Sequence, residues 1–249
     1  MQIRLMRFFR RAPQMQVSLA WLKVGGWLGA HLTGSVPQAP RKRHIEAVAV
    51  ATDQLGPQRL ADEYGEPGGE RRPAVVRSSS AAGDVYAWLA QQQRPATIVE
   101  FGAAFGVSGM YFAAGLEVAG SGHLYSFEIN REWADIAERN IRSVSNRFTL
   151  TRGSFEECVT DVLTVPIDIA FVDAIHQYDF VMRQFEILEP RMSPGGVILF
   201  DDIDFRKPGA RMGEAWRELA DRPDVVAAVE VNGRLGIIEL MFPDAVGGR

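Results

Sequence analysis

Cysteine is nearly absent: Cys158 is the only one in 249 residues. A single thiol excludes an internal disulfide framework and a zinc ribbon, and it suits a reducing cytoplasm, the expected location. No apolar stretch runs unbroken for the roughly 18 residues that mark a spanning helix. Acid is missing from the first 45 residues, which carry eight Lys/Arg. The other 19 basic residues face all 31 acids, so a basic head precedes a strongly acidic body. That body argues against nucleic acid as the main partner, because phosphate binding needs a basic face. There is neither an internal repeat nor a low-complexity tract.

What is present is enough for one sizeable core plus an appendage, with 47% hydrophobic residues. The head, "MQIRLMRFFRRAPQMQVSLAWLKVGGWLGAHL", has three readings. Arginines before an apolar run resemble an export signal, but Lys23 and the Gly25-Gly26 pair interrupt the run and no small-residue cleavage site follows. Arg4, Arg7, Arg10 and Arg11 beside Phe8, Phe9, Trp21 and Trp27 could lie on a membrane surface. A pair of helices folded back onto the body is the favoured reading. The segment from Gly56 to Arg77, rich in Gly, Pro and charge, reads as a linker or mobile loop. The division is thus a helical extension and linker over 1–77 and a second domain over 78–249.

From Ala81 onward strand and helix patterns alternate. "ATIVEFG" (96–102), "GHLYSFEIN" (122–130), "RFTLTRGS", "IDIAFVDA" and "GGVILFDDI" (195–203) are strand-like, with helical segments between them. "VVAAVEVN" and "RLGIIELMF" flank Asn232-Gly233, a two-residue hairpin signal. The pattern predicts a doubly wound α/β fold: a mostly parallel seven-stranded sheet closed by an antiparallel hairpin. Ligands of such sheets bind beyond the carboxyl ends of the strands. Glu128, Asp173 and Asp201 fall at such ends, and Glu100 and Gly102 close the first.

The turn after the first strand holds Glu100, Gly102 and Gly106, with glycine allowing a tight turn and close approach to a ligand. It is not the dinucleotide fingerprint, which would need glycine at Ala104 and a small residue at Val107. Glu128 ends the second strand, where an acid can bind both ribose hydroxyls. Ser154 follows the third strand and Asp173 the fourth.

In this order, "TIVEFGAAFGVSGMYFAAGL", "SFEIN", "RGSFEE", "FVDAIHQY" and "GGVILFDDI" resemble the successive motifs of class I S-adenosylmethionine-dependent O-methyltransferases. The nearest branches are the catechol/caffeoyl-CoA type and the macrocin-type sugar enzymes, and the resemblance covers about residues 78–241. It implies that the turn of Glu100, Gly102, Ala104 and Gly106 holds the methionine part of S-adenosylmethionine, with Ser108 near its carboxylate and Ser78 at the same end. It implies Glu128 on the ribose, Ser154 and Phe155 along the adenine, and Asp173 beside the cofactor.

The metal-dependent branches bind magnesium through the aspartates matching Asp173, Asp201 and Asp202. Three converging carboxylates repel one another, so a proton or a cation must join them, and hard oxygen ligands suit Mg²⁺. The alternative is that Asp201 and Asp202 only cap a strand. Catechol-type enzymes place a basic lysine three residues after the strand-four aspartate. Here that slot holds His176, whose unperturbed pKa near 6.5 suits a general base at neutral pH. Asp173 and His176 are therefore the expected catalytic residues, against the reading of His176 as a surface histidine. Arg206, Lys207 and Arg211 could hold an anionic acceptor or simply be solvated, while Tyr178, Phe180 and Phe185 read as core.

The expected activity is methyl transfer to a hydroxyl of a small molecule, by a homodimer, with Mg²⁺ and a histidine base. The alternatives are a metal-independent N-methyltransferase and a non-catalytic cofactor-binding protein whose head meets a partner or membrane.

Overall fold

The computed structural model describes residues 3–7, 36–62, 68–173, 175–231 and 233–240. The strand β1 (Ile3–Arg7) is the first described element. Pro37–Val165 with Asp173–Ile175 form one compact unit, and β1, Pro166–Val172 and the chain from His176 onward form the other. The two are called the glycine-turn unit and the acid-pair unit below.

The glycine-turn unit begins with α1 (Lys42–Asp53), the short strands β2 (Gln58–Arg59) and β3 (Glu70–Arg71), α2 (Pro73–Val76) and α3 (Ser80–Gln93). It continues with β4 (Thr97–Phe101), α4 (Val107–Ala119), β5 (His123–Glu128), α5 (Arg131–Arg142), β6 (Phe148–Arg152) and α6 (Phe155–Val162). All five residues of β4 are buried, as expected of a parallel strand covered on both faces. Three helices start on a side-chain cap that satisfies otherwise orphaned amides. Ser79 accepts from Ala82 N, Asn130 from Glu132 N and Trp133 N, and Ser154 from Glu157 N. In α5, Glu132 lies in the first turn and Arg139 and Arg142 in the last, each sign matching the helix dipole.

The acid-pair unit holds β7 (Ile167–Val172), α7 (Tyr178–Leu188), β8 (Met192–Phe200), α8 (Met212–Ala220), β9 (Val225–Val231) and β10 (Leu235–Leu240). β7 runs parallel to β8, β8 antiparallel to β10, and β10 antiparallel to β9. Strand order is β1-β9-β10-β8-β7-β4-β5-β6, a mostly parallel sheet with the expected antiparallel pair at its C-terminal side.

The structure adds to the expectations. The seven expected strands are present, and Ile3–Arg7 adds an eighth by pairing antiparallel with β9, Ile3 opposite Val231 and Arg4 opposite Glu230. An otherwise open edge strand offers a row of unpaired amides and carbonyls, which a short segment of the head takes up. The helical and membrane readings of the head fall mainly on residues 8–35, outside the described residues, as does Asn232 of the hairpin turn. The supposed linker is partly folded: β2 pairs with β3, and Leu60 is 5% exposed against Phe105, Trp133 and Ile136. Both sides of residue 77 lie within the glycine-turn unit, so the boundary expected there does not separate the two units. Ion pairs anchor α1 in that unit, with Lys42 2.6 Å from Asp84 and Arg77 3.2 Å from Asp53.

β10 is buried along its whole length and includes Glu239, 2% exposed. Its Oε2 has no hydrogen-bond partner among the described residues, and burial pushes its carboxyl up to about 7. A carboxyl raised on folding holds its proton more tightly in the native state. Its contribution is therefore fully present below the ordinary value of 4.5 and is lost as pH rises through about 7. The loss is on the order of 3 kcal/mol. Glu239→Gln should flatten that dependence in urea unfolding measured across this range, and an unchanged slope would contradict the assignment.

Candidate functional site

The turn from β4 into α4 is built by three successive left-handed residues at alternate positions, Gly102, Ala104 and Gly106, with φ of 80°, 46° and 81°. Gly102 N and Ala103 N both donate to Phe127 O, at 3.0 and 3.1 Å, and Gly106 N donates to Ala103 O at 2.7 Å. A Cβ on Gly106 would lie 2.9 Å from both Cα and O of Ala137, so the turn presses directly on the α5 backbone. Ala104 accepts a conformation that costs a non-glycine residue roughly 1–2 kcal/mol. Its amide is repaid by a carboxylate: Ala104 N donates to Glu128 Oε2 at 2.7 Å.

Glu128 is 1% exposed, and its Oε1 accepts from Asn130 N at 2.8 Å. One acid thus ties the glycine turn to the start of α5. Glu100 lies opposite Ser126 in the β4–β5 register and is fully buried. Its Oε2 accepts from the Ser126 hydroxyl at 2.6 Å. Burial pushes the Glu100 carboxyl up, and the Ser108 and Ser126 hydroxyls oppose that shift.

A small cleft opens at this turn, lined by Ser78, Gly102, Ala104, Ser108 and Asp173 among others. Asp173 N donates to Phe101 O at 3.1 Å, which holds it at the carboxyl end of β4. Five expected cofactor residues therefore meet in one place. Five others do not line it, Glu128 among them, whose two oxygens accept the Ala104 and Asn130 amides. Glu100 lies beneath the turn, Gly106 packs on α5, Ser154 caps α6, and Phe155 is buried with its ring 3.7 Å from that of Phe101. Arg77 and Phe105 also line the cleft and escaped sequence reasoning. Arg77 stands alone between the apolar Pro73–Val76 and three serines, with no pattern to single it out.

In the acid-pair unit, Asp201 is 3% exposed just beyond β8, its amide donating to Val172 O at 3.1 Å. Asp202 has a left-handed φ of 52°, and its amide donates to Asp201 Oδ1 at 2.9 Å. Arg234 Nε approaches both acids, 2.5 Å from Asp202 Oδ1 and 3.4 Å from Asp201 Oδ1. His176 Nδ1 lies 3.8 Å from Asp202 Oδ2, and the Phe205 ring centre is 5.4 Å from that of His176. Burial, followed by the charge of Asp202, pushes the Asp201 carboxyl up, while Arg234 pulls it down. Sequence reasoning missed Arg234. Among the described residues, no three or more of His, Cys, Asp and Glu are placed to share a metal ion.

The aromatic stripe divides: Phe185 is core at 1% exposure, but Phe180 is 39% exposed. Arg211 pairs with Glu214 at 2.6 Å and lies over the Tyr178 ring at 4.5 Å.

Residues 99–203 match the family model of a methyltransferase domain. The O-methyltransferase TomG of Streptomyces achromogenes, solved with S-adenosylmethionine, is 19% identical with a TM-score of 0.60, over 92% of this chain and 100% of TomG. An O-methyltransferase of Bacillus cereus, solved with S-adenosylhomocysteine, is 20% identical with a TM-score of 0.61, over 90% of this chain and 99% of that one. The chain has the Rossmann-like methyltransferase fold. Within that methyltransferase fold, the turn and cleft occupy the carboxyl ends of the parallel strands. An uncharacterized protein of Sinorhizobium fredii is 31% identical over 147 residues, 53% of this chain. The chain spans only 16% of that relative's length, and 30% of an uncharacterized mimivirus relative.

The packing of the turn on α5 yields a test. Gly106→Ala adds a left-handed strain of roughly 1–2 kcal/mol and an overpacking cost of roughly 1–3 kcal/mol against backbone. Denaturant unfolding should show a loss of that combined size, and a loss below about 0.5 kcal/mol would mean that the turn is free of α5.

Proposed function

We propose that the chain is an S-adenosylmethionine-dependent methyltransferase that moves a methyl group to a hydroxyl oxygen of a small molecule. The observation that carries this reading is the Glu128 carboxylate, held by the Ala104 and Asn130 amides at the glycine turn. A carboxylate at the end of the second parallel strand, beside the glycine turn, is the residue type that accepts both ribose hydroxyls. Ser78, Gly102, Ala104 and Ser108, all small, line the cleft where the amino-acid end would sit. The residues present therefore fit the cofactor. The two O-methyltransferase neighbours solved with S-adenosylmethionine or its product support the same reading.

When bound, S-adenosylmethionine supplies an electrophilic sulfonium methyl. The chain's own residues contribute position and a proton acceptor. Glu128 fixes the ribose, and Ser78 and Ser108 fix the amino-acid end. Ser154 and Phe155 border the adenine, and Glu100 holds the turn from below. His176 takes the proton of the acceptor hydroxyl, with Asp202 beside its Nδ1. A homodimer and a cytoplasmic setting belong to the same proposal. No helix among the described residues is long and apolar enough to cross a membrane.

Magnesium does not fit these residues as they stand. Arg234 already meets both Asp201 and Asp202, so no step is routed through a metal. That contact also favours a second reading, methyl transfer to an amine nitrogen, which needs no metal.

Two substitutions test the proposal. Glu128→Ala should weaken S-adenosylmethionine by about 1–3 kcal/mol in calorimetry, the cost of unpairing the ribose hydroxyls. Unchanged affinity would remove Glu128 from the site. His176→Ala should keep cofactor affinity and lose on the order of 10²–10⁴-fold in turnover of a hydroxyl acceptor found with labelled cofactor. A variant as fast as wild type would leave His176 without a part in the chemistry.

A further inference from the structure

The acid pair raises an electrostatic question that the cofactor cleft does not answer. Asp201 and Asp202 are adjacent in sequence, and Asp201 is 3% exposed. Two neighbouring carboxylates with one so buried need a proton or a cation nearby. The cation is part of the chain.

We propose that Arg234 is the resident counter-ion of Asp201 and Asp202, standing where a divalent ion would otherwise bind, and that it fixes the Asp202 carboxylate beside His176. The second half rests on the methyl-transfer reading; the first stands on geometry alone.

Five contacts carry the proposal. Arg234 Nε is 2.5 Å from Asp202 Oδ1 and 3.4 Å from Asp201 Oδ1, so one donor faces both acids. The main chain of the same residue takes part, with Ile203 N donating to Arg234 O at 2.9 Å. Asp202 N donates to Asp201 Oδ1 at 2.9 Å, which holds the left-handed Asp202 from the other side. The remaining oxygen, Asp202 Oδ2, is the one 3.8 Å from His176 Nδ1. Arg234 therefore determines which Asp202 oxygen is left for the histidine.

The same contacts disfavour a divalent ion. Magnesium needs near-octahedral oxygen ligands at about 2.0–2.1 Å. A guanidinium against both acids removes two of those ligands and adds a positive charge that repels the ion. Arginine stays protonated at any working pH, so this counter-ion cannot be titrated away. Arg234 comes from the turn between β9 and β10, so the antiparallel hairpin supplies the charge for a loop that follows a parallel strand.

The test is Mn²⁺ binding to the full chain without cofactor, read by electron paramagnetic resonance. Wild type should bind no Mn²⁺ that depends on Asp202. Arg234→Gln should bind it at least about tenfold more tightly, because two carboxylates then lack a counter-ion, and a further Asp202→Asn should abolish the gain. Arg234→Lys, which keeps the charge, should show no gain. Wild-type Mn²⁺ binding that Asp202→Asn removes would overturn the proposal, and so would a folded Arg234→Gln protein without tighter binding. A wild type that binds no Mn²⁺ at all settles that arm without a variant. In turnover, excess chelator should leave wild type unchanged, while Arg234→Gln should lower kcat at constant cofactor affinity and Arg234→Lys should recover part of it. An active enzyme silenced by chelator would sink the counter-ion and spare the methyl-transfer reading. A protein that binds no S-adenosylmethionine and transfers no methyl group would sink that reading, and the Mn²⁺ result would still decide the counter-ion.

Discussion

The hydrogen bond from Ala104 N to Glu128 Oε2 is the contact on which the glycine-turn unit depends. It joins the turn after β4 to the end of β5. Through Asn130 N on the other carboxylate oxygen, it reaches the cap of α5 as well. The Asn130 side chain in turn donates to Arg59 O at 2.8 Å, so the β2–β3 hairpin is held by the same chain of contacts. A charged acceptor makes a stronger bond than a neutral one, which offsets the left-handed strain at Ala104. This carboxylate pins the turn that borders the cleft.

A second carboxylate works out of sight of the cleft. Glu100 is fully buried and raised by that burial, with the Ser126 hydroxyl on its Oε2. A motif residue expected to touch the cofactor thus supports the turn from the core side. Sequence spacing places a residue at a strand end but does not say whether its side chain points at the ligand or under it.

Much of the sheet was legible because buried parallel strands read as short apolar runs and helices as amphipathic ones. "ATIVEFG" and "IDIAFVDA" contain β4 and β7, each with one or two residues to spare at an end. The strand Ile3–Arg7 was not legible, since five residues carry too little periodicity and its partner, β9, lies more than 200 residues away. Leu60 was hidden for the opposite reason: a lone apolar residue in a polar stretch gives no period, yet it is buried beside Trp133. At the site, Ser78, Gly102, Ala104, Ser108 and Asp173 were legible from motif order and meet in one cleft. The partner of Asp201 and Asp202 was not, because Arg234 is an ordinary turn arginine in sequence. Only the register of the hairpin brings it to Asp201 and Asp202.

The central claim is that Glu128 reads the ribose of S-adenosylmethionine from its place on the glycine turn. A crystal structure with S-adenosylhomocysteine bound tests it most directly. The account predicts both ribose hydroxyls within about 2.6–3.2 Å of the Glu128 carboxylate, with the Ala104 amide still donating to Oε2. An adenosyl group bound elsewhere, with Glu128 touching only the Ala104 and Asn130 amides, would contradict it.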